Sequence, residues 1–530
     1  MGEHRSRRNF IKNTAGVALG LNYFFPATAW GTPAPVAAGD AKTLQKWEQT
    51  LKAGFAEADI TPDIGMEQPG GYGKAFHQKL HDPCKVRAAV FSEGAKCVAL
   101  VGIDALAVPR SLVEKARKGI QARCGIPPEA VMIGASHSHS SGPTSMVQPG
   151  EYDHTDSFVQ SLAYEKSSCA DPKYLERVEK QLVEAVCKAY QSSEPLSLGI
   201  GRGKEDKAAF NRRFFMKNGL TFTHPGQLNP DIIKPAGPID PEVGVIGAWN
   251  KEGRCIGCIV NYACHATTNP GGISANWIYY MEQTIRGAMG NDCTVVFLQG
   301  ASGDVTQVDN RNLHANRQGE DWARFVGGRI GAEAVRVLLD MPRGILTPLD
   351  AKVKTLSIKR RIPGAERVKK SYELVKQDPG KVGATTWTFA KEIVLLDAKI
   401  KKEPVVQAEV QAIQVGPAVF VSNPAEFFCQ LGLDIKSGSL FPFTFPVELA
   451  NDCVGYVPTK EAFDANGGGY ETRLTSYSNL DIHAGPMMVE AGLALTRQMS
   501  PGKAPEWASA PAFKAVVVPW GYGDVGPELQ

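Results

Sequence analysis

The sequence has no second Cys-x-x-Cys to accompany Cys255 and Cys258, no long apolar run, no internal repeat and no low-complexity tract. A lone pair cannot complete a four-thiolate zinc site. It lies in an apolar stretch, Cys255 to Cys264, that reads as a strand with buried thiols. The eleven cysteines, an odd number scattered over 530 residues, make no disulfide framework. No segment supplies the roughly 20 apolar residues needed to cross a bilayer, so no transmembrane segment is expected in the mature chain. An excess of one charge is missing too. A formal charge of +3 gives no electrostatic reason to expect nucleic acid or an anionic membrane as partner. Hydrophobic residues at 43% and charged residues at 21% exclude wholesale disorder.

What is present begins at the N-terminus. Ser6-Arg7-Arg8-Asn9-Phe10-Ile11-Lys12 precedes a mildly apolar stretch, Thr14 to Phe25, and then Pro26-Ala27-Thr28-Ala29. A charged head, an apolar middle and a small-residue cleavage site make a secretory signal. Paired arginines followed by Phe, Ile and Lys resemble the bacterial twin-arginine export signal. That resemblance implies a protein exported already folded, to the periplasm or beyond. We expect a signal over 1–29, a linker over 30–52, one catalytic domain over 53–500 and a C-terminal tail over 501–530.

Within 53–500 strand and helix patterns alternate, which predicts a mixed α/β fold, sandwich-like. Strands are expected at Lys85–Glu93, Lys96–Ala107, Ala130–Ala135, Leu196–Gly201, Val243–Trp249, Cys255–Ala263 and Thr294–Leu298. Helices are expected at Ser111–Arg123, Pro172–Gln191, Trp277–Met289 and Asp321–Leu339. The Lys- and Glu-rich stretch 360–402 reads as solvated helices in a peripheral insertion. Strands resume at Val405–Val415, Ala418–Val421 and near Phe443–Leu449, with a helix starting at Pro424.

There are only ten histidines, so their grouping matters. His137 and His139 directly follow an apolar strand and open into a Ser/Gly/Pro loop. In an extended segment, residues two apart face the same way, so both imidazoles can point at one ion. His265 ends a second apolar strand, and Gln299 to Thr306 forms a third strand-end loop carrying Asp304 and Thr306. Three imidazoles at the ends of two apolar strands supply the number of protein ligands an open catalytic metal site needs. Asp304 by itself reads as the cap of a strand-to-loop turn.

The order of these motifs resembles the neutral, non-lysosomal ceramidase family. It runs from Ala58-Asp59-Ile60-Thr61-Pro62 and Val86-Arg87-Ala88 through the His137/His139 loop, Phe210-Asn211-Arg212-Arg213, Asn261 to His265 and Gln299 to Val305. It closes with Asn423-Pro424-Ala425-Glu426-Phe427 and Gly455-Tyr456-Val457-Pro458-Thr459. The resemblance implies one Zn²⁺ per chain held by His137, His265, Glu426 and Tyr456. It also implies His139 beside the metal as general acid or base, Arg212 and Tyr470 against substrate, and cleavage of an amide (N-acyl) bond by zinc-activated water. Read without it, Glu426 is a carboxylate at a helix N-terminus and Tyr456 a core aromatic.

Two departures bear on the substrate. The family's active-site serine position is Thr306 here, which keeps the hydroxyl and adds a methyl group. The β-sandwich that follows the catalytic domain in full-length ceramidases is also not expected, because the pattern ends near 500. The small-molecule substrate is accordingly left open between a ceramide-like lipid and a glycan or other polar compound, cleaved by hydrolysis or elimination. A non-catalytic binding protein is the third reading.

Overall fold

The computed structural model describes residues 51–313 and 318–507, with positions 509, 527 and 529. The expected export signal and most of the linker and tail lie outside the described residues.

Two five-stranded sheets pack face to face with helices on their outer sides. In the first the order is Val131–Ala135, Lys96–Ile103, Lys85–Glu93, Leu51–Asp59, Glu194–Pro195. Gly94 closes the central hairpin in the left-handed region at φ 59°, where a residue without Cβ carries no steric penalty. Val131–Ala135 runs parallel to Lys96–Ile103, so it is reached by a crossover through the Arg110–Cys124 helix. The outer layer is completed by Pro172–Gln191, started by Asp171, whose carboxylate accepts from Tyr174 N at 2.8 Å, and by proline at the first helical position. Tyr174, Val178, Leu182, Val183 and Val186 recur at helical spacing and are buried. A disulfide joins Cys124 to Cys187 between these two helices.

The second sheet has the order Thr294–Gln299, Cys255–Tyr262, Glu242–Trp249, Ser197–Lys204, Arg343–Gly344. Again the first two strands are parallel, joined through the Trp277–Met289 helix, which packs beside Glu320–Leu339. Alternation divides the residues by face. Ile246, Ala248 and Ile259 enter the core shared with the first sheet, while Val243, Val245 and Val260 pack under the helices. The sheets approach closely enough that a Cβ on Gly102 would sit 2.2 Å from the Phe297 carbonyl oxygen.

A third sheet, Leu349–Lys359, Val405–Val415, Ala418–Ser422 and Phe443–Val447, carries the helices Cys429–Gly438 and Ala484–Thr496 on one face. The mixed α/β sandwich expected from sequence is therefore present. Among the described residues no helix is long and apolar enough to cross a membrane.

Two expectations are corrected. The stretch 360–402 is not solvated throughout: in the Ala384–Lys402 helix, Ala390 to Leu396 and Ala398 are buried, packed with Val147, Val159 and Leu162. Nor does a helix start at Pro424. Residues Glu426–Phe427 form a two-residue strand, and the helix begins at Cys429.

Candidate metal centre

The parallel strands of both sheets end on the same side, and their loops meet there. Val131–Ala135 delivers His137 and His139, while Cys255–Tyr262 delivers His265. The loops are stitched together. Ser138 bridges Ala266, His139 N donates to the Ala266 carbonyl at 3.1 Å, and His265 N donates to the Val305 carbonyl at 3.1 Å.

The two loop imidazoles do not converge by extended alternation. His137 occupies the left-handed region at φ 61°, a conformation that costs a non-glycine residue about 1–3 kcal/mol and persists only where its surroundings fix it. Here the surroundings are specific. His137 Nδ1 contacts the Leu106 carbonyl at 2.9 Å, and His265 Nδ1 contacts the Ser302 carbonyl at 2.8 Å. A carbonyl can only accept, so each Nδ1 carries the proton and each Nε2 turns a lone pair inward.

Those inward atoms converge on Glu426. Its Oε2 lies 3.2 Å from His137 Nε2 and 3.1 Å from His265 Nε2. His139 Nε2 is 3.2 Å from His137 Nε2, and the three histidines present ring nitrogens within 4.8 Å of one another. They could hold a metal ion. The donor chemistry fits: two imidazoles have their tautomer fixed from behind, a carboxylate lies between them, and a third imidazole stands alongside.

Electrostatics favour the neutral, lone-pair-bearing form of two of the three imidazoles, His265 and His139. Burial, with Arg212 and His137 nearby, holds His265 down to about 3. Burial and then the two neighbouring imidazoles hold His139 well below the usual range. Burial opposes ionisation of Glu426, yet His137 and His265 outweigh it and keep the carboxyl well below its ordinary value. Burial likewise pulls His137 down, and Glu426 more than reverses it.

Glu426 is the register partner of Tyr456 in a parallel two-residue pairing, Glu426–Phe427 with Tyr456–Val457. Tyr456 Oη accepts from Arg212 Nη2 at 3.1 Å and lies 3.4 Å from Tyr470 Oη. The Arg212 guanidinium is buried. It donates to the Gly303 carbonyl at 2.7 Å and to Glu471 at 3.0 Å, with the Tyr456 and Tyr470 rings beneath it. Thr306 Oγ1 donates to Gln307 Oε1 at 2.8 Å. His137, His139, His265, Glu426, Tyr456, Arg212, Tyr470 and Thr306 all line one cavity of about 410 Å³. Asp304 does not. It caps the Cys429 amide at 2.8 Å and accepts from Asn211 at 2.8 Å, so it braces the loops.

The sequence reading missed three supporting groups. Tyr477 Oη donates to Glu426 Oε1 at 2.8 Å. Glu471, fully buried, pairs with Arg212. Glu448, buried and pushed up to about 8 by burial against the pull of Ser302, accepts from the Ser302 and Phe427 amides at 2.9 and 2.8 Å. Glu471 directly follows Tyr470 and was within reach of the motif; the other two stand alone in sequence.

No family model matches the chain, and no curated protein does. Solved structures do. The neutral ceramidase from Pseudomonas aeruginosa superposes with a TM-score of 0.63 at 20% identity, covering 87% of this chain and 76% of that one. The fold is the neutral ceramidase fold. A ceramidase complexed with C2 matches it with a TM-score of 0.61 at 18% identity, over 87% of this chain and 78% of the other. At these identities the likeness concerns architecture, and the ceramidase fold sets the sandwich and the strand ends on which the histidines stand.

Proposed function

We propose that this protein is an exported, zinc-dependent hydrolase that cleaves an amide (N-acyl) bond. The observation that carries the reading is the convergence of His137 Nε2 and His265 Nε2 on Glu426 within 3.2 Å, at the floor of a cavity. Support comes from the ceramidase fold and from the order of site residues along the chain.

His137, His265, Glu426 and Tyr456 would hold the zinc. When bound, zinc supplies Lewis acidity, lowering the pKa of water and polarising a carbonyl oxygen. The remaining work falls to the chain. His139 stands beside the ligand imidazoles and takes a proton from water, then returns it to the leaving nitrogen. Arg212, fixed by Gly303 and Glu471, directs positive charge at the carbonyl oxygen as it gains negative charge, and Tyr470 donates to it. Thr306, on the cavity wall, orients substrate or water.

The test is hydrolysis of a short-chain fluorescent ceramide by the zinc-quantified mature protein, with and without chelator. Chelator-sensitive release of fatty acid supports the reading. Turnover that survives complete removal of metal overturns it.

A further inference from the structure

A second cavity, of about 440 Å³, adjoins the first, with Tyr72, Met146 and Tyr477 lining both. One of its walls comes from the 360–402 region, through Arg360, Glu392, Lys399 and Lys402. The cavity is the size that encloses a small organic ligand.

Its chemistry is particular. Two serine hydroxyls on its wall, Ser145 and Ser168, are 4% and 1% exposed and have no hydrogen-bond partner. Gln148 Oε1, on the same wall, also lacks one. Buried polar atoms normally have a partner, because leaving one unpaired costs its desolvation. Two of the charged pairs around the cavity are closed on themselves: Arg360 meets Glu403 at 2.7 Å and Lys399 meets Glu151 at 2.7 Å. The remaining charged lining residues are equal in number, Arg110 and Lys402 with Glu392 and Asp452, and Glu392 also meets Lys391 at 3.3 Å behind the wall. The lining carries four cationic and four anionic side chains, so it holds no strong excess of either sign to select an ionic ligand. A neutral, hydroxyl-bearing one would supply partners for the Ser145 and Ser168 hydroxyls and for Gln148 Oε1.

We infer that this cavity receives a neutral polyhydroxylated group of monosaccharide size, belonging to the same molecule whose N-acyl bond lies at the histidine cluster. The inference rests on the hydrolase reading above and narrows its substrate to N-acyl compounds bearing a sugar-like portion. That portion is either the headgroup of a lipid or a unit of an oligosaccharide. The two cavities share Tyr72, Met146 and Tyr477 in their walls, which sets them side by side for the two ends of a single substrate.

The experiment compares three probes on the zinc-loaded full chain: octanoyl ethanolamide, its β-glucoside, and N,N′-diacetylchitobiose. Each is assayed by amine release with the wild type and with Ser145→Ala/Ser168→Ala. Alanine removes hydroxyls that have no partner to lose, so the fold persists; an unchanged thermal midpoint checks this. We expect kcat/KM at least tenfold higher for one sugar-bearing probe than for the ethanolamide. The double variant should cancel that preference while leaving ethanolamide turnover unchanged. Preference for the glucoside assigns a lipid-borne group, and preference for chitobiose an oligosaccharide. No preference, or a variant that lowers all probes equally, overturns the inference. If no probe is hydrolysed, the hydrolase reading fails on its own, and the cavity is judged by binding. Saturation-transfer NMR signal from methyl β-glucopyranoside or chitobiose that the double variant abolishes supports it, and absence of signal overturns it.

Discussion

Glu426 and Tyr456 are register partners across a parallel pairing only two residues long, so residues thirty apart in sequence are fixed side by side at the cavity floor. Phe427 and Val457, the next pair, are buried in the core of the third sheet. The pairing thus ties the position of a carboxylate and a phenol to the packing of that core.

Behind Glu426 stands Tyr477, whose hydroxyl donates to Oε1 at 2.8 Å. Tyr477→Phe removes that hydrogen bond and the hydroxyl's 3.2 Å contact with Cys453 Sγ, and leaves the ring in place. Partners of metal ligands typically govern affinity by about 10- to 100-fold. The variant should therefore bind zinc about tenfold more weakly in competition with a chromogenic chelator, with its circular dichroism spectrum unchanged.

Arg212 has a different role. Arg212→Lys keeps the charge opposite Glu471 but loses the fork that reaches Glu471 through Nε and both Gly303 and Tyr456 through Nη2. Zinc content should stay at the wild-type level while kcat falls about 10²-fold, the typical effect of removing one oxyanion-stabilising donor. Steady-state kinetics alongside metal analysis checks it.

Gly70 places the backbone against His139. A Cβ there would sit 2.3 Å from His139 Nδ1, and φ is +111°, so alanine must displace the ring. Gly70→Ala should lower turnover at least tenfold (about 1.4 kcal/mol or more in the barrier). The same backbone strain should lower the thermal midpoint modestly, so turnover is compared at a temperature where both proteins are folded.

Acid stability has an identifiable source far from the centre. Glu282, buried among Arg87, Lys85 and Arg286, is held at about 2 against an ordinary 4.5, burial opposing the shift and the three cations overcoming it. A depressed carboxyl stabilises the fold fully above its unfolded value and loses that contribution as pH falls through the folded one. The shift corresponds to about 3 kcal/mol. The wild type should lose about that much between pH 5 and 2 relative to Glu282→Gln, which itself is less stable at pH 7, as denaturant titrations would show.

Much of this centre is legible in the sequence because strand ends are. Apolar runs stopping at His137 and His265, each followed by a polar loop, place three imidazoles together without any structure. The extended H-x-H geometry was the wrong reason, since the left-handed turn at His137 depends on tertiary contacts with Leu106 that no local pattern encodes. Glu426 and Tyr456 have no periodicity to betray them, because a two-residue bridge is too short to alternate. Only the motif order suggested them. Tyr477 and Glu448 act through partners far along the chain and leave no spacing signal.

The misreading of 360–402 has a similar cause. Lys391 and Glu392 suggested a solvated face, yet both are buried. Lys391 Nζ donates to the Tyr72 carbonyl and to Ser167 Oγ at 2.7 Å, while Ser476 Oγ donates to Glu392. Charge in a sequence marks the surface only when the fold supplies no partners.

The most direct measurement is zinc content and activity, determined together, for the wild type and for His137→Ala, His265→Ala and Glu426→Gln. The wild type should carry about one zinc per chain. The ion and the N-acyl hydrolysis should be lost in parallel in each variant, while the fold is retained. A His137→Ala protein that is metal-free and still active would contradict it.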